Sequence, residues 1–168
     1  MPITKTLYLI RHAKSSSEDA SLSDIQRYLN DRGLKDAALM AKLIKGKNII
    51  PDLIISSHAI RALSTAEIFA DELNYNRNKI VCDERIYEAA IRDLITTIRK
   101  IKDKNNIVMI FGHNPGLLNI ANLLGNKFLP DFPTCAVIGI ELKVNSWSDV
   151  ERNCGEIILF KYPKKSLK

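Results

Sequence analysis

Short apolar runs alternate with longer stretches in which apolar positions recur every three or four residues. Residues 4 to 11 contain Leu7-Tyr8-Leu9-Ile10, apolar on both faces as a buried parallel strand should be. Leu53-Ile54-Ile55-Ser56-Ser57, the short Ile80-Val81-Cys82 and the run within residues 106 to 111 read the same way. Between them lie helical stripes. Leu34, Ala37, Ala38, Met40, Ala41 and Ile44 form one, with Asn30 placed to cap it ahead of Asp31. Residues 60 to 73, 91 to 103 and 115 to 124 form three more, the last with Pro115 in its first turn. Two strands follow, near 135 to 143 and 156 to 161, and they can pair antiparallel at an edge. Residues 14 to 30 are polar and rich in Ser and Asp, a long loop.

Strands alternating with helices predict an α/β domain with a mostly parallel sheet flanked by helices. No repeat or linker divides residues 1 to 168, so one domain is expected. No apolar run is long enough to span a bilayer. The basic, hydrophobic and cleavage segments of a signal peptide do not occur in order, so the expected location is cytoplasmic.

The net charge of +6 points to anionic partners only weakly, because the basic residues are scattered. Their one dense cluster, from Lys161 to Lys168, reads as a solvated tail. No stacking motif or finger spacing accompanies them, and nucleic acid is not an expected partner. Cys82, Cys135 and Cys154 are odd in number and widely spaced, which suggests neither a disulfide framework nor a zinc site.

Chemistry concentrates at strand ends. Arg11-His12-Ala13 closes the first apolar run and Gly112-His113-Asn114-Pro115 closes another. Ligands of open α/β sheets bind beyond the carboxyl ends of strands, so the two histidines are placed to meet. Arg61 follows the second run closely. Two guanidinium forks converging on two imidazoles match the oxygens of a phosphate. An unprotonated imidazole can take a phosphoryl group covalently, and neighbouring Arg11 and Arg61 would lower the His12 pKa by like-charge repulsion. His113 and the amides around Asn114 would add donors to the phosphoryl oxygens.

The order of these landmarks resembles the histidine phosphatase superfamily. Arg11-His12-Ala13 is similar to its Arg-His-Gly motif, with Ala in place of the usual Gly. Leu29-Asn30-Asp31-Arg32-Gly33 resembles the stretch preceding its first helix. Ser56-Ser57, Arg61-Ala62 and Thr65-Ala66 fit its second motif, and Gly112-His113-Asn114 its second His motif. Arg11-His12-Ala13-Lys14-Ser15-Ser16 and Pro133-Thr134-Cys135 are similar to the small SixA-type branch. The resemblance implies a three-layer, phosphoglycerate mutase-like fold. It implies His12 as nucleophile, with Arg11, Arg61 and His113 around the phosphate. Its substrates would be phosphohistidine in a signalling protein or small phosphomonoesters, with no cofactor or metal.

The general acid is less constrained. Glu88 stands where many relatives carry a carboxylate, with Asp83 and Glu84 as competitors, and a structural role for Glu88 is equally open. Lys14 and Ser16 either touch substrate or are solvated. Arg27 is expected to pair with Asp24 or Asp31, and His58 to be an incidental loop residue. The alternative function is a non-catalytic module holding a phosphorylated ligand in the same pocket. A metal hydrolase is disfavoured because neither His motif carries a carboxylate at ligand spacing.

Overall fold

A computed structural model describes residues 4–164. Six strands form one sheet: β1 (Lys5–Arg11), β2 (Leu53–Ser56), β3 (Val81–Cys82), β4 (Ile107–Gly112), β5 (Val137–Leu142) and β6 (Gly155–Lys161). Their spatial order is β3-β2-β4-β1-β5-β6. The β3-β2-β4-β1 part is parallel, while β5 and β6 pair antiparallel at the other side. The expected mostly parallel sheet, with an antiparallel pair at its edge, is what forms. Among the described residues no helix is long and apolar enough to cross a membrane. The last four residues of the basic tail lie outside the described residues.

Strand alternation divides the core. Leu7, Leu9, Val108 and Ile110 face α3 (Ile91–Arg99) and α4 (Gly116–Leu124), packing with Leu94, Ile98, Leu117 and Ile120. Their neighbours Tyr8, Ile10, Met109 and Phe111 face α1 (Asp31–Gly46) and α2 (Ile60–Glu72), packing with Met40, Ile44 and Phe69. The result is three layers, helices on both faces of a sheet buried on both sides. Phe111 is fully buried and meets Phe69 edge-on at 5.1 Å between ring centroids. Truncating such a ring costs about 3–5 kcal/mol.

Helix ends follow local chemistry. Asn30 caps α1 as expected, its Oδ1 accepting from Gly33 N at 2.8 Å. Gly33 is required by close approach: a Cβ there would stand 2.1 Å from the Lys14 carbonyl oxygen. That contact seats α1 against the segment just after His12. Two expectations shift. The third helix ends at Arg99 rather than near 103, because the following turn is tied down elsewhere: Asp103 accepts from Trp147 N and Ser146 Oγ. Pro115 precedes α4 at its cap position instead of entering the first turn.

Candidate active site

The sheet register builds the site. Arg11 on β1 pairs with Gly112 on β4, and His12 N donates to Gly112 O at 3.0 Å. His12 and His113 therefore leave adjacent parallel strands side by side, their ring centroids 5.2 Å apart. On the other flank of β4, Ser57 N donates to Phe111 O, which brings the end of β2 beside His113. Arg61 comes from the first turn of α2. Thr65 ties that turn to β1, donating to Arg61 O and accepting from Ala13 N.

His12 is buried, and its Nδ1 lies 2.7 Å from Ala13 O. A carbonyl oxygen only accepts, so Nδ1 carries the proton and Nε2 keeps its lone pair. The imidazole pKa falls to about 4. Burial is the main cause, followed by the charges of Arg61, Arg11 and Arg27, against the opposing pull of the Ala13 hydrogen bond. The arginines named from sequence thus act as expected, but desolvation contributes more.

His113 is set by Ser57, whose Oγ is 2.8 Å from Nε2. That hydroxyl also accepts from Ala59 N at 3.2 Å. When Ser57 donates to Nε2, Nδ1 of the neutral ring bears the hydrogen. Among the described residues, His113 Nδ1 and Arg11 Nε are buried without a partner. Burial first, then the charges of His12 and Arg61, lowers the His113 pKa to about 3.

Asp24, which sequence reasoning did not single out as a site residue, organises the cations. Arg61 Nη1 donates to its backbone oxygen at 2.6 Å and Nη2 to Oδ2 at 3.0 Å. Arg27 Nη1 reaches Oδ1 at 3.2 Å, and the Tyr87 hydroxyl donates to Oδ2. The Tyr87 bond foremost, then Arg61, lowers the Asp24 pKa to about 2. Arg27 also binds Ser15 Oγ and Ser16 O, which pins the loop after His12. Its expected pairing with Asp24 forms. On the far side, the Phe132 carbonyl accepts from Arg11 Nη1 and Asn114 Nδ2.

Two cavities meet here. One of about 370 Å³ is walled by Arg11, His12, Arg27, Arg61 and His113, with Lys14 at its edge. The other, about 350 Å³, is walled by Asp24, Tyr87 and Glu88. Arg61, His113 and Asn114 line both. The structure thus brings Arg11, His12, Arg61, His113 and Asn114 together. Glu88 borders the second cavity from an exposed, left-handed position (φ 52°). Its competitors are elsewhere: Asp83 pairs with Arg85 at 2.9 Å, and Glu84 lines neither cavity. His58 lines neither cavity and packs edge-on against Tyr87. Among the described residues no cluster of three or more His, Cys, Asp or Glu is placed to hold a metal ion.

A sequence profile of the histidine phosphatase superfamily (branch 1) matches residues 7–120, and the chain belongs to that superfamily. Membership supports phosphatase activity as the coarse class of function. An uncharacterized chloroplastic protein of Arabidopsis thaliana is 29% identical over 155 residues, covering 88% of this chain and 71% of its own. SixA of Agrobacterium tumefaciens, a candidate phosphohistidine phosphatase, matches with a TM-score of 0.79 at 25% identity, over 98% of this chain and 100% of its own. A protein histidine phosphatase SixA solved with tungstate matches with a TM-score of 0.78 at 20% identity, over 94% and 96%. The fold is the phosphoglycerate mutase-like fold of the SixA-type branch.

Proposed function

We propose that this chain is a metal-independent phosphatase that works through a phosphohistidine on His12. The observation that carries the reading is the Nδ1–Ala13 O bond of 2.7 Å, which leaves Nε2 unprotonated in a cavity shared with two arginines. The Nε2 lone pair attacks phosphorus, the bond from phosphorus to the leaving group breaks, and its electron pair departs with that group. Water then attacks the phosphorus, the N–P bond breaks and its electrons return to Nε2. Arg11, Arg61 and the His113 Nδ1–H supply donors to the phosphoryl oxygens. A tetrahedral oxyanion bound here would give partners to Arg11 Nε and to a protonated His113 Nδ1, both buried without one among the described residues.

The leaving group occupies the second cavity. There Glu88 is the proton donor for esters whose alkoxide departs poorly. Lys14 and Glu88 at the borders of the crevice are both exposed. An exposed border suits a phosphorylated side chain on a protein, and the leading substrate is phosphohistidine in a signalling protein, ahead of small phosphomonoesters. The test is a screen of sugar phosphates, phosphoamino acids and a phosphohistidine protein, all with EDTA present. The phosphohistidine protein is expected to have the highest kcat/KM. Turnover of none of the three classes would contradict the enzymatic reading and favour a binding module.

A further inference from the structure

A cavity of about 570 Å³ is separate from the crevice. It lies between the last turn of α3 and the sheet edge formed by β2 and β3. Leu53, Ile55, Val81 and Ile101 give it an apolar floor, and lysines 79, 100, 102 and 104 stand around it. These four are exposed, and among the described residues none forms an ion pair. The local acids are already committed. Asp52 accepts from the backbone amides of Asn106 and Ile107, and Asp83 is paired with Arg85. Asp103, between Lys102 and Lys104, is turned to Ser146 and Trp147. Unpaired lysines thus surround a concave apolar floor.

The groove also adjoins the crevice. Asp83 and Arg85 line it, whereas Tyr87 and Glu88 line the leaving-group cavity. Arg85 and Tyr87 are two residues apart, at most about 7 Å of backbone. A substrate protein with its phosphorylated side chain in the crevice can therefore continue into the groove. We infer that this groove docks an acidic, partly apolar segment of the phosphorylated protein substrate. The inference rests on the protein-substrate reading given above. Charge complementarity selects the acidic partner, and the apolar floor favours peptide over nucleic acid. The one aromatic lining residue, Tyr75, has its hydroxyl tied between Ile54 N and Lys79 O and offers no stacking series.

The test uses two synthetic peptides, chemically phosphorylated on one histidine. One carries a Glu-rich run interspersed with Leu, beginning about five residues from the histidine, and the other has Gln at each Glu. Five residues span about 17 Å when extended. The full chain is expected to favour the acidic peptide about tenfold in kcat/KM at low salt, with the advantage shrinking as salt rises. In the K100E/K102E/K104E variant the advantage should vanish while p-nitrophenyl phosphate turnover is unchanged. Equal turnover of both peptides by the wild type, or an advantage that survives in the variant, would overturn the docking inference alone. Turnover of p-nitrophenyl phosphate but of neither peptide would remove the protein-substrate reading and the docking with it. Binding of a single-stranded RNA 20-mer that the variant loses, with no preference between peptides, would make the groove a nucleic-acid surface instead.

Discussion

Arg61 grips Asp24 through two separate donors, Nη1 to the backbone oxygen at 2.6 Å and Nη2 to the carboxylate at 3.0 Å. The two residues are 37 positions apart, and the same carboxylate holds Tyr87 and Arg27. One acid in the loop after His12 thus orients two of the three arginines around the phosphate cavity.

Asp24→Ala should therefore act on binding and catalysis together. Releasing Arg61 and Arg27 from a charge-assisted partner is expected to lower kcat/KM for p-nitrophenyl phosphate by about 10- to 100-fold. Steady-state kinetics and a thermal melt check this. An unchanged kcat/KM in a folded variant would show that Asp24 does not organise the site.

The pH profile follows from burial. His12 and His113 have pKa values lowered to about 4 and about 3 in the fold, against the ordinary imidazole value near 6.5. The acid limb of kcat/KM, corrected for substrate ionisation, should fall close to pH 4 rather than 6.5. Stability has the same sign. The folded state favours the neutral rings, so their contribution is complete above about pH 6.5. It is lost as pH falls towards the folded values, because the unfolded chain then binds more protons. The melting temperature should drop between pH 6.5 and 4, and a His12→Gln/His113→Gln double variant should flatten that drop.

Ser57→Ala tests the tautomer of His113. Its hydroxyl is the partner of Nε2 at 2.8 Å, and losing one such bond costs about 1 kcal/mol. A several-fold to tenfold fall in kcat is expected, with His113→Ala costing about 10²- to 10³-fold. Identical losses in the two variants would mean that Ser57 does more than position the ring.

Much of the site was legible because strand ends are legible. The apolar runs before Arg11 and Gly112 placed His12 and His113 at the carboxyl edge of a parallel sheet, and adjacency of β1 and β4 did the rest. Asn30 was readable as helix-start chemistry, whereas Gly33 was marked only by the family resemblance and its approach to Lys14 was not legible. Asp24 and Tyr87 were not, since their contact joins positions 63 apart through a polar loop with no periodicity to mark it. Ser57 was visible as part of a motif, but its hydrogen bond to His113 depends on β2 lying beside β4. The end of the third helix escaped because Asp103 is fixed by the distant Trp147 turn rather than by any local stop signal.

Glu88→Gln separates acid catalysis from structure. With alkyl phosphates, whose leaving groups need a proton, the loss should be on the order of 100-fold. With p-nitrophenyl phosphate or phosphohistidine it should be much smaller. Equal losses on both kinds, or none on either, would remove Glu88 as the acid.

Turnover should survive EDTA, because the proposed steps use only side chains of this chain and water. Activity lost in EDTA and restored by a divalent ion would contradict that.

The most direct measurement is a rapid quench with ³²P-labelled substrate. The wild type should trap label that is acid-labile, base-stable and located on His12, and His12→Ala should carry none and turn nothing over. Full activity in His12→Ala, or label on another residue, would contradict the covalent mechanism.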